Sequence, residues 1–348
     1  MKLNELLDEM NYQFIQGHLD EEVSQIDYDS RTVQSGSLFV CIPGAKVDGH
    51  SFIDQVIQKG AKVIVIEHPV EYQEGITYLL VDNARKALAL LCCAFFHHPS
   101  RQMKVIGITG TKGKTTTSYM VASILEKAHK KVGIIGTIGS IVNGEFRKTK
   151  NTTPESFELQ KLMHEMVEAG CEYCVMEVSS QGLMLDRVTG IDFDIGVFTN
   201  LSPDHIGENE HRSFEHYMSC KKQLFQMCRI GLFNKDDEHY LDMIDRAHCQ
   251  IQTYSIDQES DLQACNINLY RQDNILGVTF DTNGVISASF QTNTPGKFSV
   301  YNSLVAIMIC HLLDIDVPYI QEALKQVSVK GRVEMVPVSG SEKTIDVD

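Results

Sequence analysis

Along the first hundred residues, short β-branched apolar runs alternate with stretches whose apolar positions recur at helical spacing. Residues 37–42 (SLFVCI) and 62–67 (KVIVIE) read as buried strands, and 84–96 as an apolar helix. The polar, turn-forming stretch 97–102 (HHPSRQ) breaks the rhythm and reads as a linker. The alternation then resumes, with strands expected at 105–109, 132–138, 173–178 and 195–199 and helices at 115–128 and 157–169. Strands separated by helices of this length predict a largely parallel sheet. Between 255 and 298 the pattern changes to antiparallel excursions, with Asn283-Gly284 as a hairpin signal. Helices are expected at 301–313 and 319–326. The fold class is therefore α/β, with a first domain over 1–98, a central domain over 99–330 and the start of a further one over 331–348.

Composition narrows the functional classes. The chain has 348 residues, 43% of them apolar, and a formal net charge of −15. So acidic a surface argues against broad contact with nucleic acid or anionic lipid. Phosphate binding would then need a local pocket, a helix N-terminus or a metal ion. Ten cysteines lie scattered without disulfide-like pairing, so reduced thiols in the cytoplasm are expected. Cys171 and Cys174 form a CxxC with no second pair at zinc-site spacing, and no metal is expected there. The opening MKLNELLDEM lacks the apolar region of a signal peptide, and the apolar run 87–96 is half the length of a membrane helix. Small-molecule substrates and a monomer are expected, without membrane insertion.

The strongest local signal is VIGITGTKGKTTT over 105–117, which follows a buried strand and opens a helix. Backbone N–H groups from Gly110 to Lys114 can cradle phosphate oxygens, aided by the helix dipole. Lys114 would reach the terminal phosphates, and the Thr115 hydroxyl would ligate Mg²⁺. The match to GxxxxGK[ST] is incomplete, since Ile108 occupies the first glycine position. Gly133, Gly136 and Gly139 recur every third residue and make no dinucleotide fingerprint.

Ligands of a parallel sheet gather at the carboxyl ends of its strands. Glu177 ends one predicted strand there, and His205 lies in the loop after the next. Each could be a bland strand-end acid or surface histidine; beside a nucleotide loop both fit a Mg²⁺ environment. Residues 214–228 read as one amphipathic helix whose stripe runs through Phe214, Tyr217, Met218, Lys221, Leu224, Phe225 and Cys228. Lys221 thus faces inward, either as a snorkelling side chain or as an amine of depressed pKa.

Together, TGTKGKTTT, DSR at 29–31, VDGH at 47–50, NTTP at 151–154, EVSSQGL at 177–183 and TNLSPDH at 199–205 resemble the Mur ligases, in the same order. Within them the resemblance is to the branch that adds the third amino acid of the peptidoglycan stem, L-lysine or meso-diaminopimelate. It implies an N-terminal α/β nucleotide-sugar domain that binds UDP-MurNAc, a central ATP-binding domain, and a C-terminal Rossmann-like domain that this chain does not contain. The family forms an amide by way of an acyl phosphate, so turnover is not expected of this chain alone. By position, Gly110, Thr111, Lys112, Gly113, Lys114, Thr115 and Thr116 would hold ATP, with Asn302 near the adenine. Thr115, Glu177, His205 and Lys221 would serve Mg²⁺, Lys221 after carbamylation by CO₂, and Lys114, Glu177, His205 and Lys221 would carry the chemistry. Ser30 would contact the uridine end, and Asn151, Thr152, Thr153, Ser179 and Arg187 the muramoyl dipeptide.

The chain departs from the family pattern at Leu185, where a glutamine is common, and in a slightly longer stretch from His205 to Lys221. Other readings are a folylpolyglutamate synthase or an amidating relative on the same fold, a non-catalytic nucleotide-sugar module, and a generic phosphate-loop kinase or GTPase. The DSR and VDGH segments speak against the first pair. A kinase would leave Lys221 and the N-terminal domain without a role.

Overall fold

The apolar run at 37–42 is unbroken because its strand is covered on both sides. Leu38 and Val40 face one apolar cluster, while Phe39 and Cys41 face another. The computed structural model describes residues 1–44, 47–207, 210–272, 275–327, 334–336 and 345–347. These form two compact units. The first comprises residues 1–102, 154–165 and 182–191; the second comprises 103–153, 166–181 and 192–348.

The first unit is built on a five-stranded sheet. Its strands are β1 (Gln13–Gln16), β2 (Gln25–Asp27), β3 (Ser37–Val40), β4 (Val63–Ile66) and β5 (Thr77–Leu80), in the order β1-β5-β4-β3-β2. Only β1 runs antiparallel to its neighbour. Helices α1 (Leu3–Leu6) and α3 (Ala84–Phe95) cover one face, and α2 (Ile53–Gln58) the other. Asn83 caps α3 by accepting from the Lys86 N–H at 2.9 Å.

The second unit carries an eleven-stranded sheet. Its strands are β6 (Lys104–Thr109), β7 (Val132–Ile135), β8 (Ser140–Val142), β9 (Glu145–Arg147), β10 (Tyr173–Glu177), β11 (Phe193–Phe198), β12 (Cys228–Asn234), β13 (Gln250–Ser255), β14 (Leu262–Gln272), β15 (Ile275–Gly284) and β16 (Ala288–Thr292). The spatial order is β16-β15-β14-β13-β12-β11-β6-β10-β7-β8-β9. The run from β14 through β7 is parallel, and the antiparallel hairpins lie at the two edges. Asn283-Gly284 ends β15, where the chain turns back into β16. A separate small hairpin pairs β17 (Glu334–Val336) with β18 (Ile345–Val347).

The remaining helices are α4 (Lys114–Lys127), α5 (Ser156–Glu168), α6 (Ser180–Met184), α7 (Phe214–Lys222), α8 (Leu224–Met227), α9 (Tyr240–Ile244), α10 (Lys297–Leu312) and α11 (Val317–Gln326), of which most of α5 and the end of α6 fall in the first unit. One apolar cluster joins the sheet to α4, α10 and α11 through Ile106, Ile108, Val121, Leu125, Leu304 and Leu324. No helix among the described residues is long and apolar enough to cross a membrane.

Two expectations change. The single helix expected over 214–228 is broken at Gln223, because Cys228 is already part of a parallel strand paired with β11. The strand expected over 132–138 stops at Ile135, because the chain turns at Gly136 to clear the Glu177 carboxylate. The start of a further domain expected over 331–348 falls mostly outside the described residues.

Candidate active site

The glycine turn follows β6, whose neighbours β10 and β11 lie on opposite sides, so the turn sits where the strand order reverses. Glu177 ends β10, and Thr199-Asn200 follow β11. All three strand ends therefore deliver their residues to one edge of the sheet.

The turn is gripped from the β11 side. The Thr111 N–H donates to the Asn200 carbonyl at 2.9 Å, and the Lys112 N–H donates to Asn200 Oδ1 at 2.9 Å. Thr199 Oγ1 donates to the Lys112 carbonyl at 2.8 Å. Gly110 has φ +146, and a Cβ there would run into the Thr199 hydroxyl. Gly113 has φ +88 and stands at the N-cap of α4, where it offers no side chain to the first helical N–H groups. Those donors are left to an anion. Lys114 Nζ folds back to donate to the carbonyls of Gly110 at 2.8 Å and Thr111 at 3.0 Å. Lys112 is exposed and Thr116 half-buried.

Glu177 is 1% exposed and accepts from three donors: Thr115 Oγ1 at 3.0 Å, the Thr137 N–H at 2.9 Å and Thr137 Oγ1 at 3.0 Å. Thr137 was not singled out by sequence reasoning, because it lies 40 residues from Glu177 and only sheet pairing brings them together. Thr152 Oγ1 is 3.0 Å from Thr137 Oγ1. Thr153 Oγ1 accepts from the Ser179 N–H at 2.9 Å and donates to the Glu177 carbonyl at 3.0 Å. Asn151 is exposed.

Lys221 arrives from α7 and is 1% exposed. Its Nζ donates to the Gly110 carbonyl at 2.9 Å and stands 4.5 Å from the centre of the Tyr217 ring. Burial, reinforced by the Lys114 charge, holds its pKa well below the ordinary lysine value. A row of glycines makes this reach possible. Gly107, Gly196 and Gly231 are register partners across β6, β11 and β12. A Cβ at these positions would lie 3.1 Å from Leu224 Cδ1, 3.3 Å from Leu224 Cγ and 3.2 Å from Phe225 Cδ1, respectively. The bare sheet lets α8 settle close, and α7, one turn earlier, brings Lys221 against the glycine turn.

Tyr217, placed on the inward stripe by the sequence but given no role at the site there, lies beside Lys221 with its hydroxyl 3.1 Å from Thr111 Oγ1; burial pushes the phenol up to about 12. His205 differs from the other expected metal residues. Its imidazole is exposed, pairs with Glu210 at 3.2 Å and lies 6.3 Å from the Tyr217 ring centre. Asn302, on α10, accepts from Thr117 Oγ1 at 3.3 Å. It borders a cleft of about 170 Å³ also lined by Asn200, Asn234, Asp236, Phe298 and Tyr301. Tyr301 donates to Asp236 at 2.8 Å.

In the first unit, DSR follows β2 and VDGH follows β3, so both sit at the carboxyl edge of adjacent parallel strands. His50 Nε2 accepts from the Glu67 N–H at 3.0 Å, which leaves the proton on Nδ1, 2.6 Å from Asp48. Ser30 is buried, and its carbonyl accepts from Lys59 at 2.6 Å. Arg187 belongs to this unit too and pairs with Glu155 at 2.5 Å.

Comparison with known proteins agrees with this geometry. The description "Mur ligase family, catalytic domain" matches residues 22–96, and "Mur ligase middle domain" matches 108–310. The chain is 41% identical over 341 residues to the UDP-N-acetylmuramoyl-L-alanyl-D-glutamate--2,6-diaminopimelate ligase of Clostridium perfringens, covering 97% of this chain and 69% of that protein. A solved structure of a ligase of the same name superposes with a TM-score of 0.83 at 23% identity, over 97% of this chain and 69% of that one. The MurF ligase of Thermotoga maritima in complex with ADP superposes with a TM-score of 0.61 at 18% identity, over 91% and 69%. With both of its units matched in order and the phosphate turn, buried carboxylate and inward lysine gathered at one sheet edge, the chain belongs to the Mur ligase family.

Proposed function

We propose that this protein is an ATP-dependent ligase that joins an amino acid to UDP-MurNAc-L-Ala-D-Glu in cytoplasmic peptidoglycan precursor synthesis. The relatives are named as 2,6-diaminopimelate ligases, which supports 2,6-diaminopimelate over L-lysine as that amino acid. The observation that carries the reading is the 2.9 Å contact of Lys221 with Gly110, beside the buried Thr115–Glu177 pair. A kinase or GTPase needs no buried lysine from another helix at its phosphate turn.

The residues fit a nucleoside triphosphate. The uncapped N-terminus of α4 and the Lys114 ammonium supply positive potential where the terminal phosphates would lie, and Asn302 borders a cleft suited to the nucleoside. They also fit Mg²⁺, since the Thr115 hydroxyl and Glu177 carboxylate are hard oxygen donors already in contact. When bound, Mg²⁺ would offset phosphate charge as the D-glutamate carboxylate accepts the terminal phosphoryl group.

Lys221 joins this oxygen set only after modification, because an amine or ammonium is a poor partner for a hard cation. Its depressed pKa favours the neutral amine. The nitrogen lone pair attacks the CO₂ carbon, a proton leaves to solvent, and a carbamate results whose single negative charge is shared by two oxygens. Thr137 holds the Glu177 carboxylate in place through two hydrogen bonds. Ser30, Asn151, Thr152, Thr153, Ser179 and Arg187 are assigned to the nucleotide-sugar peptide, and His205 to a second Mg²⁺.

The test is competition binding with UDP-MurNAc-L-Ala-D-Glu and with a folate, followed by phosphate release with 2,6-diaminopimelate or L-lysine. Binding of the sugar nucleotide with no effect of folate is expected. Displacement by folate alone would overturn the assignment.

A further inference from the structure

A cluster next to the site, unused by the reaction, has the composition of a transition-metal site. His211 is fully buried. Its Nε2 is 2.8 Å from Ser180 Oγ, whereas its Nδ1 is buried with no hydrogen-bond partner. One ring nitrogen held by a neighbouring hydroxyl and the other left bare is the arrangement of a metal-binding histidine. A purely packed histidine would leave a buried ring nitrogen unsatisfied, at a free-energy cost. His216 and Cys220 stand four residues apart on α7, hence on one face of the helix. One donor atom from each of the three residues lies within 4.8 Å of the others. Donors bound tetrahedrally at 2.0–2.3 Å stand about 3.5 Å apart, so the three side chains must draw together by up to about 1.3 Å on binding. His216, half-buried and with its Nδ1 accepting from the Arg212 N–H at 3.3 Å, must offer Nε2 or release that contact.

We propose that His211, His216 and Cys220 form a zinc-class site, with His211 bound through Nδ1, Cys220 as thiolate and a fourth position open to solvent on the His216 side. Two imidazoles and a thiolate select Zn²⁺ or Co²⁺ and discriminate against Mg²⁺. The Cys220 proton passes to solvent on binding. The His211 N–H donates to the His205 carbonyl at 3.0 Å, and the Gly207 N–H donates to the His211 carbonyl at 3.2 Å. A bound ion therefore staples α7, which carries Lys221, to the loop that presents His205. The site is distinct from the oxygen donors assigned to Mg²⁺ and stands whether or not the ligase reading holds.

The experiment is titration of the reduced, metal-free full chain with Co²⁺, followed by absorbance. One equivalent is expected to produce a thiolate-to-Co²⁺ charge-transfer band and tetrahedral ligand-field bands. Zn²⁺ should abolish them, and excess Mg²⁺ should not. Cys220→Ser removes the charge-transfer band, His216→Gln weakens binding by about 10- to 100-fold, and Cys249→Ser changes nothing. Should Cys220→Ser not fold, His216→Gln on the half-buried side decides. Absence of the band in the unaltered protein, its persistence in Cys220→Ser, or unchanged affinity in His216→Gln would each overturn the proposal.

Discussion

Lys221 donates to the carbonyl of Gly110 across 111 residues of chain, Nζ to oxygen 2.9 Å, in a fully desolvated position. An ordinary ammonium would pay a heavy desolvation cost there, and the neighbouring Lys114 charge makes protonation worse. The contact makes sense for an amine kept neutral beside a phosphate turn.

A pH dependence follows with a definite sign. The folded pKa of Lys221 lies below its unfolded value near 10.4, so between the two the unfolded chain binds more protons and stability rises with pH. Lys221→Met removes this penalty. Denaturant unfolding at pH 7 and pH 10 is expected to find the variant more stable at pH 7, with the advantage shrinking as pH rises toward 10.

His211 acts at lower pH. Burial first, then the neighbouring His216, lower its pKa from the ordinary value. The folded state therefore holds it neutral while the unfolded chain takes up a proton below about pH 6.5. Stability is lost as pH falls from 6.5 through the folded value, and His211→Asn should flatten that segment of the unfolding profile.

Ser180→Ala should cost about 1–3 kcal/mol, since it leaves the buried Nε2 of His211 without its partner. Thermal or denaturant unfolding measures this. Alanine at an exposed serine such as Ser202 should fall within about 0.5 kcal/mol of the unaltered chain.

Gly196→Ala tests the glycine row. The added methyl would stand 2.8 Å from Cys228 Sγ and 3.3 Å from Leu224 Cγ, forcing α8 outward at about 1–3 kcal/mol. Because α8 seats α7, reactivity of Lys221 should change as well. Incubation with ¹³C-bicarbonate is expected to give a carbamate resonance in the unaltered chain, weaker in Gly196→Ala and absent in Lys221→Met.

Lys114→Met should weaken ATP binding by about 1.5–3 kcal/mol, roughly 10- to 150-fold, as a charge-assisted contact is lost. Isothermal titration with ATP and Mg²⁺ provides the measurement. Lys112→Met, altering an exposed side chain of the same turn, should have a much smaller effect.

Much of the fold was legible because its signals are local. The runs at 37–42 and 62–67 became β3 and β4, 84–96 became α3, and 105–117 became a strand, a phosphate turn and a helix opening. Lys221 faced inward as its stripe predicted. Other strands escaped because they are mixed in composition: β1, β2, β5, β12 and β13 carry Gln, Asp, Arg or Thr, and pairing partners define them more than propensity does. The break at Gln223 was equally hidden, since apolar residues on both sides continue the same buried face while Cys228 is claimed by β12.

The amino-acid sequence by itself determined the alternation of strands and helices, the glycine turn and its lysine, the carboxylate at the end of β10 and the inward face of Lys221, all of which depend on neighbours within one or two turns of chain. Only tertiary structure decided that Thr137 would hold Glu177, that a row of three glycines would admit α8, that His205 would lie exposed beside Glu210, and that Ser180 would meet His211. Those relationships join residues brought together by sheet register and helix docking. Their free energy is realised only when distant segments share one low-dielectric space, and no periodicity along the chain encodes that.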